Sequence, residues 1–422
     1  MSFGASPEHI LKRTLAWALP EPVTAEEASI LRVGGRARVT GDPPAVIAVG
    51  RTGQKEVRLR GLDHLPARER LRLVPSSGSP RALLPDRCGR TERQTLVRAR
   101  SSTLSPLRWL ALIALRGVPG QVLRLVSAPL EVASATSSPL VIALRRLRPG
   151  ARMGVVLNPS NYDRPAIFSF DARGRPAAVA KFASAPRDRL RQSLEWDILQ
   201  ALSRIPSLAG SVPRPLARVP GHLGDGIVTE AFSGAPAPPR LEPPLLDWLE
   251  RCQRRGELSV GRSPLVSRLL DELQGGRDPM LLHAAQTAAA CLEDVRAPVT
   301  VVHGDFVPWN IVLDNTLPRV FDWEWASLEG VPGWDAVYFP LQVGQVVERW
   351  SAPELVACVK RLADRPVHPY GGQQYRCLIL LVLVHLAKVV AGTPPFALTV
   401  RQAIEHLLKA AWLSDTTPRR AS

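Results

Sequence analysis

Apolar and polar positions change period several times along this chain, and each change marks a predicted element. From Pro7 to Leu19, Ile10, Leu11, Leu15 and Trp17 recur at helical spacing before Pro20 and Pro22 stop the segment. Between Val39 and Val74 the runs AVIAV and EVRLR are divided by GDPP, GRTGQ and PARER, which is the pattern of short strands joined by turns. Ser105–Leu115 and Gln121–Leu130 read as helical pieces interrupted by GVPG, and Leu140–Leu147 as a further apolar segment before RPGARMG. AAVAKFA then alternates as a strand ending near Lys181, and Leu194, Ile198, Leu199 and Leu202 line one face of a helix in LEWDILQAL. A Pro-, Gly- and Ala-rich stretch, Ser233–Pro244, gives way to helical periodicity from Leu245. Helices are predicted over Leu245–Arg254, Pro264–Leu273 and Pro279–Asp294, and again over Pro353–Leu362, Tyr370–Val390 and Val400–Leu413.

One stretch breaks the rule that strands bury apolar side chains. Residues Val299–Trp325 read VTVVHGDFVPWNIVLDNTLPRVFDWEW: a β-branched run, a loop, and a hairpin through the turn Asp314–Pro318. Asp305, Asn310 and Asp322 sit among those runs, and the predicted topology brings them to one end of a small sheet. Magnesium prefers hard oxygen ligands, which Asn310 and Asp322 supply. Phosphoryl transfer also needs a group that orients an attacking hydroxyl and accepts its proton; Asp305, one short loop ahead, fits that role. The five-residue step from Asp305 to Asn310 equals that of the protein-kinase catalytic loop, and Asp322 follows at about the distance of the kinase metal-binding aspartate.

The sequence has HGD where protein kinases have HRD, and FDWE where they have DFG. HGDxxxxN followed by a hydrophobic-Asp-aromatic-Glu run resembles the aminoglycoside phosphotransferase and choline kinase-like family, small-molecule kinases with a protein-kinase-like fold. The resemblance covers about residues 150–422 and implies a strand lysine for the nucleotide phosphates with a helical glutamate to hold it; Lys181 and Glu195 stand in that order. It also implies a phosphate-contacting Ser-Asn pair, matched by Ser160 and Asn161 in LNPSNYDRP, although the GxGxxG of protein kinases is missing and Pro159 and Pro165 flank the loop. VPRPLARV and GIVTEAFSG resemble the last small-lobe strands and the inter-lobe linker, which puts Glu230–Phe232 at the nucleotide base through main-chain groups. Asp335 has two readings, a family-type tie to the catalytic loop or a helix N-cap. His303 is expected to brace the loop, Gly304 to permit its backbone angle, and Trp309 and Trp323 to pack.

The expected fold is thus α+β, a two-lobed kinase-like arrangement with a small antiparallel-sheet lobe over 151–234 and a mostly helical large lobe over 235–422. An N-terminal basic α+β domain over 1–150 precedes it. The implied activity is transfer of the γ-phosphate of ATP or GTP, with Mg²⁺, to a hydroxyl of a small molecule such as an amino sugar, sugar or amino alcohol. A catalytically weak nucleotide-binding pseudokinase with a basic docking domain is the alternative.

Composition adjusts this picture only at the front. The chain of 422 residues is 45% hydrophobic and 22% charged, ordinary for a globular protein, and carries a formal charge of +16. Nearly all of the surplus falls on Met1–Gly150, which suits contact with an anionic surface or a solvated arginine-rich face; few aromatic residues interleave those arginines, which argues against nucleic acid. Five widely spaced cysteines without a CxxC pair fit a reducing cytoplasm, and the start of the chain lacks the pattern of a secretory signal. The longest apolar run, Leu378–Val384, is too short to span a bilayer and reads as a core helix.

Overall fold

The computed structural model describes residues 29–33, 36–38, 45–50, 58–60, 67–74, 82–85, 92, 95, 127–134, 137–158, 161–182, 186–219, 226–276, 278–365, 367–391, 393–410 and 412–413. The predicted helices over 7–19 and 105–115 lie outside them. The chain divides into two compact units, one of residues 1–200 with 213–233 and one of 201–212 with 234–422. The architecture is α+β, a sheet-rich unit followed by a mostly helical one.

The first unit contains a ten-stranded sheet and a separate two-stranded ladder. Its strands are β1 (Ser29–Val33), β2 (Arg36–Arg38), β3 (Ala45–Gly50), β4 (Arg58–Arg60), β5 (Ala67–Val74), β6 (Ala82–Pro85), β7 (Ala128–Ser134), β8 (Arg152–Asn158), β9 (Asn161–Phe170), β10 (Pro176–Lys181), β11 (Pro215–Val219) and β12 (Gly226–Glu230). The large sheet runs β1-β3-β7-β5-β6-β8-β9-β10-β12-β11, antiparallel apart from the β1–β3 pair, while β2 and β4 form the small ladder. Strands from before and after position 150 therefore share one sheet, joined where β6 pairs with β8.

Two segments differ from expectation. The PARER stretch, expected as a turn, starts strand β5, which pairs with β7 and β6 and has Leu71 buried beside an exposed Arg70. Ala128–Leu130, expected to be helical, begins β7, which is paired on both sides by β3 and β5 and buries Leu130 and Val132. Two ladders outweigh the local helical pattern.

Helix α1 (Pro139–Leu147) starts at Ser138, whose Oγ accepts from the Val141 amide, with Pro139 in the first turn. It buries Leu140, Val141 and Leu144 against the core formed by Ile47, Val155 and Ile167. Helix α2 (Pro186–Leu202) follows β10 and carries Glu195.

The second unit holds helices α3 (Pro243–Arg251), α4 (Pro264–Gln274), α5 (Pro279–Cys291), α6 (Trp334–Val343), α7 (Ala352–Ala363), α8 (Gly372–Val389) and α9 (Pro394–Lys409). Helix α8 is buried along nearly its whole length, from Cys377 through Ala387, and forms the middle of one large apolar core. Among the described residues no helix is long and apolar enough to cross a membrane.

Two three-stranded sheets complete this unit: β13 (Ala235–Pro236) with β16 (Ile311–Asp314) and β17 (Leu317–Val320), and β14 (Gln253–Ser259) with β15 (Arg296–Val302) and β18 (Ser327–Gly330). Strand β15 and the β16–β17 hairpin frame the loop singled out by its polar residues. Asn315 in the hairpin turn takes a left-handed backbone with φ 55°.

Candidate active site

The loop that leaves β15 is held from below by helix α6. Asp335, in the first turn of α6, accepts the His303 amide at 2.7 Å on Oδ2 and the Gly304 amide at 3.0 Å on Oδ1. The N-cap reading of Asp335 does not hold, because Gly333 occupies that position and both carboxylate oxygens face the loop. Burial pushes the Asp335 carboxyl up to about 7, against the opposing pull of those two amides.

Gly304 has φ +78°, and a Cβ on it would lie 2.5 Å from the Trp325 carbonyl oxygen, so only glycine fits. Its own carbonyl accepts from His385 Nε2 at 2.9 Å, reaching in from α8.

His303 braces the loop as a neutral ring. Its Nδ1 accepts the Asp305 amide at 3.2 Å, so the ring proton is on Nε2, which donates to the Phe321 carbonyl at 3.0 Å. The ring lies 4.6 Å from the fully buried Trp323, whose Nε1 donates to the Val320 carbonyl. Phe306 stacks on Trp248 at 5.1 Å with the planes 7° apart. Trp323 is packing, and with Trp248 and Phe306 it forms an aromatic floor under the loop.

Above that floor stands Asp305. Its Oδ1 accepts from the Tyr338 hydroxyl at 2.9 Å and its Oδ2 from Asn310 Nδ2 at 3.0 Å. Asn310 Nδ2 also donates to the Asp305 carbonyl at 3.0 Å, which closes the five-residue loop on itself. Burial and then the charge of Asp322 push the Asp305 carboxyl up to about 7, opposed by the hydrogen bonds from Tyr338 and Asn310.

The hairpin explains why Asp322 shares this end of the sheet. Ile311 pairs with Val320, and just beyond that pair the Phe321 amide donates to the Asn310 carbonyl at 3.0 Å. Asp322 is the next residue and takes a left-handed φ of 73°, a conformation uncommon for aspartate and one that turns the chain out of the strand.

Hard oxygens for a divalent cation are available here. Asn310 donates through Nδ2, which leaves its Oδ1 as an amide-oxygen ligand, and Asp322 adds a carboxylate. Among the described residues no group of three or more His, Cys, Asp or Glu forms a metal cage. Magnesium bound beside a nucleotide does not need one, because phosphate oxygens and water complete its octahedron.

The other expected residues lie in the sheet unit. Lys181, the last residue of β10, pairs with Glu195 of α2 through Nζ and Oε1 at 2.6 Å, and Gln192 donates its amide to the Lys181 carbonyl. Glu195 is buried and Lys181 keeps about a quarter of its side chain exposed (24%). Glu230 ends β12 and pairs with Arg214 at 3.2 Å, while Phe232 follows it half-buried. Ser160 lies outside the described residues; Asn161 opens β9 in register with Asn158, and its side chain is likewise outside them.

Sequence reasoning passed over Tyr338, Gln342 and His385. For Tyr338 a signal was present, since a helical residue three positions after Asp335 lies on the same face.

No protein-family model matches the sequence, and no curated protein does. Solved structures resemble it in part. A thermostable mutant of aminoglycoside phosphotransferase APH(4)-Ia, in ternary complex with AMP-PNP and hygromycin B, is 14% identical, with TM-score 0.46, over 65% of this chain and 98% of that one. Macrolide 2'-phosphotransferase type I is 15% identical over 63% of this chain and 95% of its own, with TM-score 0.38. Aminoglycoside phosphotransferase APH(3'')-Id from Streptomyces rimosus is 18% identical over 61% and 97%, with TM-score 0.35. The chain is similar to aminoglycoside and macrolide phosphotransferases.

Proposed function

We propose that this protein transfers the γ-phosphate of a nucleotide, ATP or GTP, to a hydroxyl of a small molecule. The observation that supports this reading best is the carboxylate of Asp305, clamped on both oxygens by neutral donors at the end of a hairpin that also carries Asn310 and Asp322. A structural carboxylate in a turn has no use for a neighbouring carboxylate that raises its proton affinity. A group that must accept a proton from a hydroxyl does.

In this reading Asp305 orients the acceptor hydroxyl and takes its proton as the new oxygen–phosphorus bond forms and the bond to the nucleotide's bridging oxygen breaks. Asn310 Oδ1 and Asp322 hold magnesium, which supplies positive charge to the phosphate oxygens. Lys181 grips the nucleotide phosphates and Glu195 fixes the lysine. Glu324 and Glu329 add negative charge close in sequence to the motif, which favours an amine-bearing acceptor, whereas Asp335 is taken up by the His303 and Gly304 amides.

The test is phosphate transfer from ATP and from GTP, with magnesium, across a panel of amino sugars, sugars and amino alcohols. Turnover that disappears in Asp305→Asn and in Asp322→Ala is the expected result. Tight nucleotide binding with no turnover on any acceptor, water included, and no difference between wild type and Asp305→Asn, would establish the pseudokinase instead.

A further inference from the structure

Tyr338 and Gln342 stand one turn apart on the buried face of α6, and Gln342 reaches Asp305 only through the Tyr338 hydroxyl. Gln342 Nε2 donates to the Tyr338 hydroxyl at 3.3 Å, and that hydroxyl lies 2.9 Å from Asp305 Oδ1. Both side chains are buried, Tyr338 completely. The proton directions follow from the donor inventory. An amide nitrogen only donates, so it occupies a lone pair of the phenol oxygen; the phenol then has one proton to give, and the carboxylate is there to accept it. Burial and the Asp305 charge raise the Tyr338 phenol well above its ordinary range, so the proton stays on the tyrosine.

Asp305 is thereby fixed at two points. Asn310 holds Oδ2 from the loop side and Tyr338 holds Oδ1 from the helix side. A carboxylate with one anchor swings about its Cβ–Cγ bond, whereas one with two has its plane set. We propose that Tyr338, aimed by Gln342, is a positioning residue for the phosphoryl-transfer step: it sets the plane of the Asp305 carboxylate so that a remaining lone pair meets the acceptor hydroxyl. This inference rests on the function proposed above and adds to it a residue that touches neither nucleotide nor acceptor.

The experiment uses the full chain with MgATP and water as the acceptor, followed by release of inorganic phosphate. Tyr338→Phe keeps the ring and removes the hydroxyl. It lowers kcat by roughly 10- to 100-fold, the range expected from slight misplacement of a reacting group, with KM for MgATP within about twofold of wild type. Gln342→Leu moves kcat the same way by a smaller factor, roughly 3- to 10-fold.

The decisive comparison is the double variant. If Tyr338 acts through Asp305, adding Tyr338→Phe to Asp305→Ala slows the residual rate no further. Without nucleotide, Tyr338→Phe lowers the melting temperature by about 1–2 °C in the wild type and by less in the Asp305→Ala background, since the lost bond had that carboxylate as partner. Wild-type kcat in Tyr338→Phe overturns the proposal, as does an equal loss of rate in both backgrounds. Should Tyr338→Phe fail to fold, wild-type kcat in Gln342→Leu overturns it. A wild type that turns over MgATP on no acceptor of the panel, water included, removes the proposed function itself and this inference with it, an outcome distinct from an active wild type matched by Tyr338→Phe.

Discussion

Two ionisable clusters among the described residues are held by different physics. In the sheet unit a charge meets a charge: Lys181 and Glu195 pair directly at 2.6 Å, and the lysine keeps partial access to solvent. In the helical unit the carboxylates of Asp305 and Asp335 are held by neutral groups: a phenol, an amide side chain and two backbone amides. An ion pair can open and let its lysine turn to a phosphate, because the charge has somewhere to go. A carboxylate held by neutral donors keeps its geometry, while burial raises its proton affinity against the pull of those donors. The first arrangement suits gripping a ligand that comes and goes, the second a reacting group that has to stay put.

The strongest way to break this contrast is Asp305→Asn. The amide preserves size and one acceptor but cannot take a proton, so turnover is expected to fall by roughly 10²–10⁴-fold in steady-state assays, with nucleotide affinity nearly unchanged. A variant that keeps more than a tenth of wild-type kcat would show that the clamp around Asp305 serves structure alone.

Next in size is Asp335→Asn, which puts an amide N–H against one of two backbone N–H groups that now have an acceptor. A loss of about 2–3 kcal/mol is expected by urea unfolding. Its pH dependence tests the burial argument. The folded-state carboxyl sits near 7 against the ordinary 3.8 of aspartate, so between those values the folded protein binds the proton more tightly than the unfolded chain. Stability from this group is therefore full below about 4 and declines as pH rises towards 7, and the wild-type advantage over Asp335→Asn narrows across that window. A constant difference from pH 4 to 8 would show that the two amides outweigh burial.

Lys181→Ala probes the other side of the comparison. It leaves the buried Glu195 carboxylate without this cation, which costs about 1–3 kcal/mol given the partial exposure of the pair, and it raises KM for nucleotide more than it lowers kcat. Glu195→Gln should reproduce the KM effect in weaker form, read by the same assay. An unchanged KM in both would detach the ion pair from nucleotide use.

How much of this could be read in advance depended on the range of the interaction. The strand, loop and hairpin over residues 299–325 were visible because β-branched runs and turn residues are local signals, and the buried helix α8 because seven apolar residues follow one another from Leu378. The strand β14, QRRGELS, was not, because five of its residues are exposed and no apolar alternation marks it. Tyr338 and His385 reach the loop from 33 and 81 residues away, and helical periodicity tells that a face is buried without telling what it is buried against. His385 also carries no local cue, since a polar ring inside an otherwise apolar run reads as an interruption of the core.

The smallest expected effect is the most specific. If the segment after β12 meets a nucleotide base through its main chain, the side chain of Glu230 should matter little. It is paired with Arg214, whose side chain is 71% exposed, and such surface pairs contribute between zero and about 1 kcal/mol. Glu230→Ala is thus expected to change stability by less than about 1 kcal/mol and to leave KM for ATP within roughly twofold. Proline at Ala231 makes the contrasting variant, because it removes an amide at the same place. The Ala231 amide donates to the Ala177 carbonyl at 3.2 Å, so its loss loosens the end of β12 from β10 as well. A Glu230→Ala enzyme with sharply weakened nucleotide use, beside a tolerant Ala231→Pro, would mean that recognition at this edge runs through the glutamate and its charge, the mode of holding seen at Lys181 rather than at Asp305.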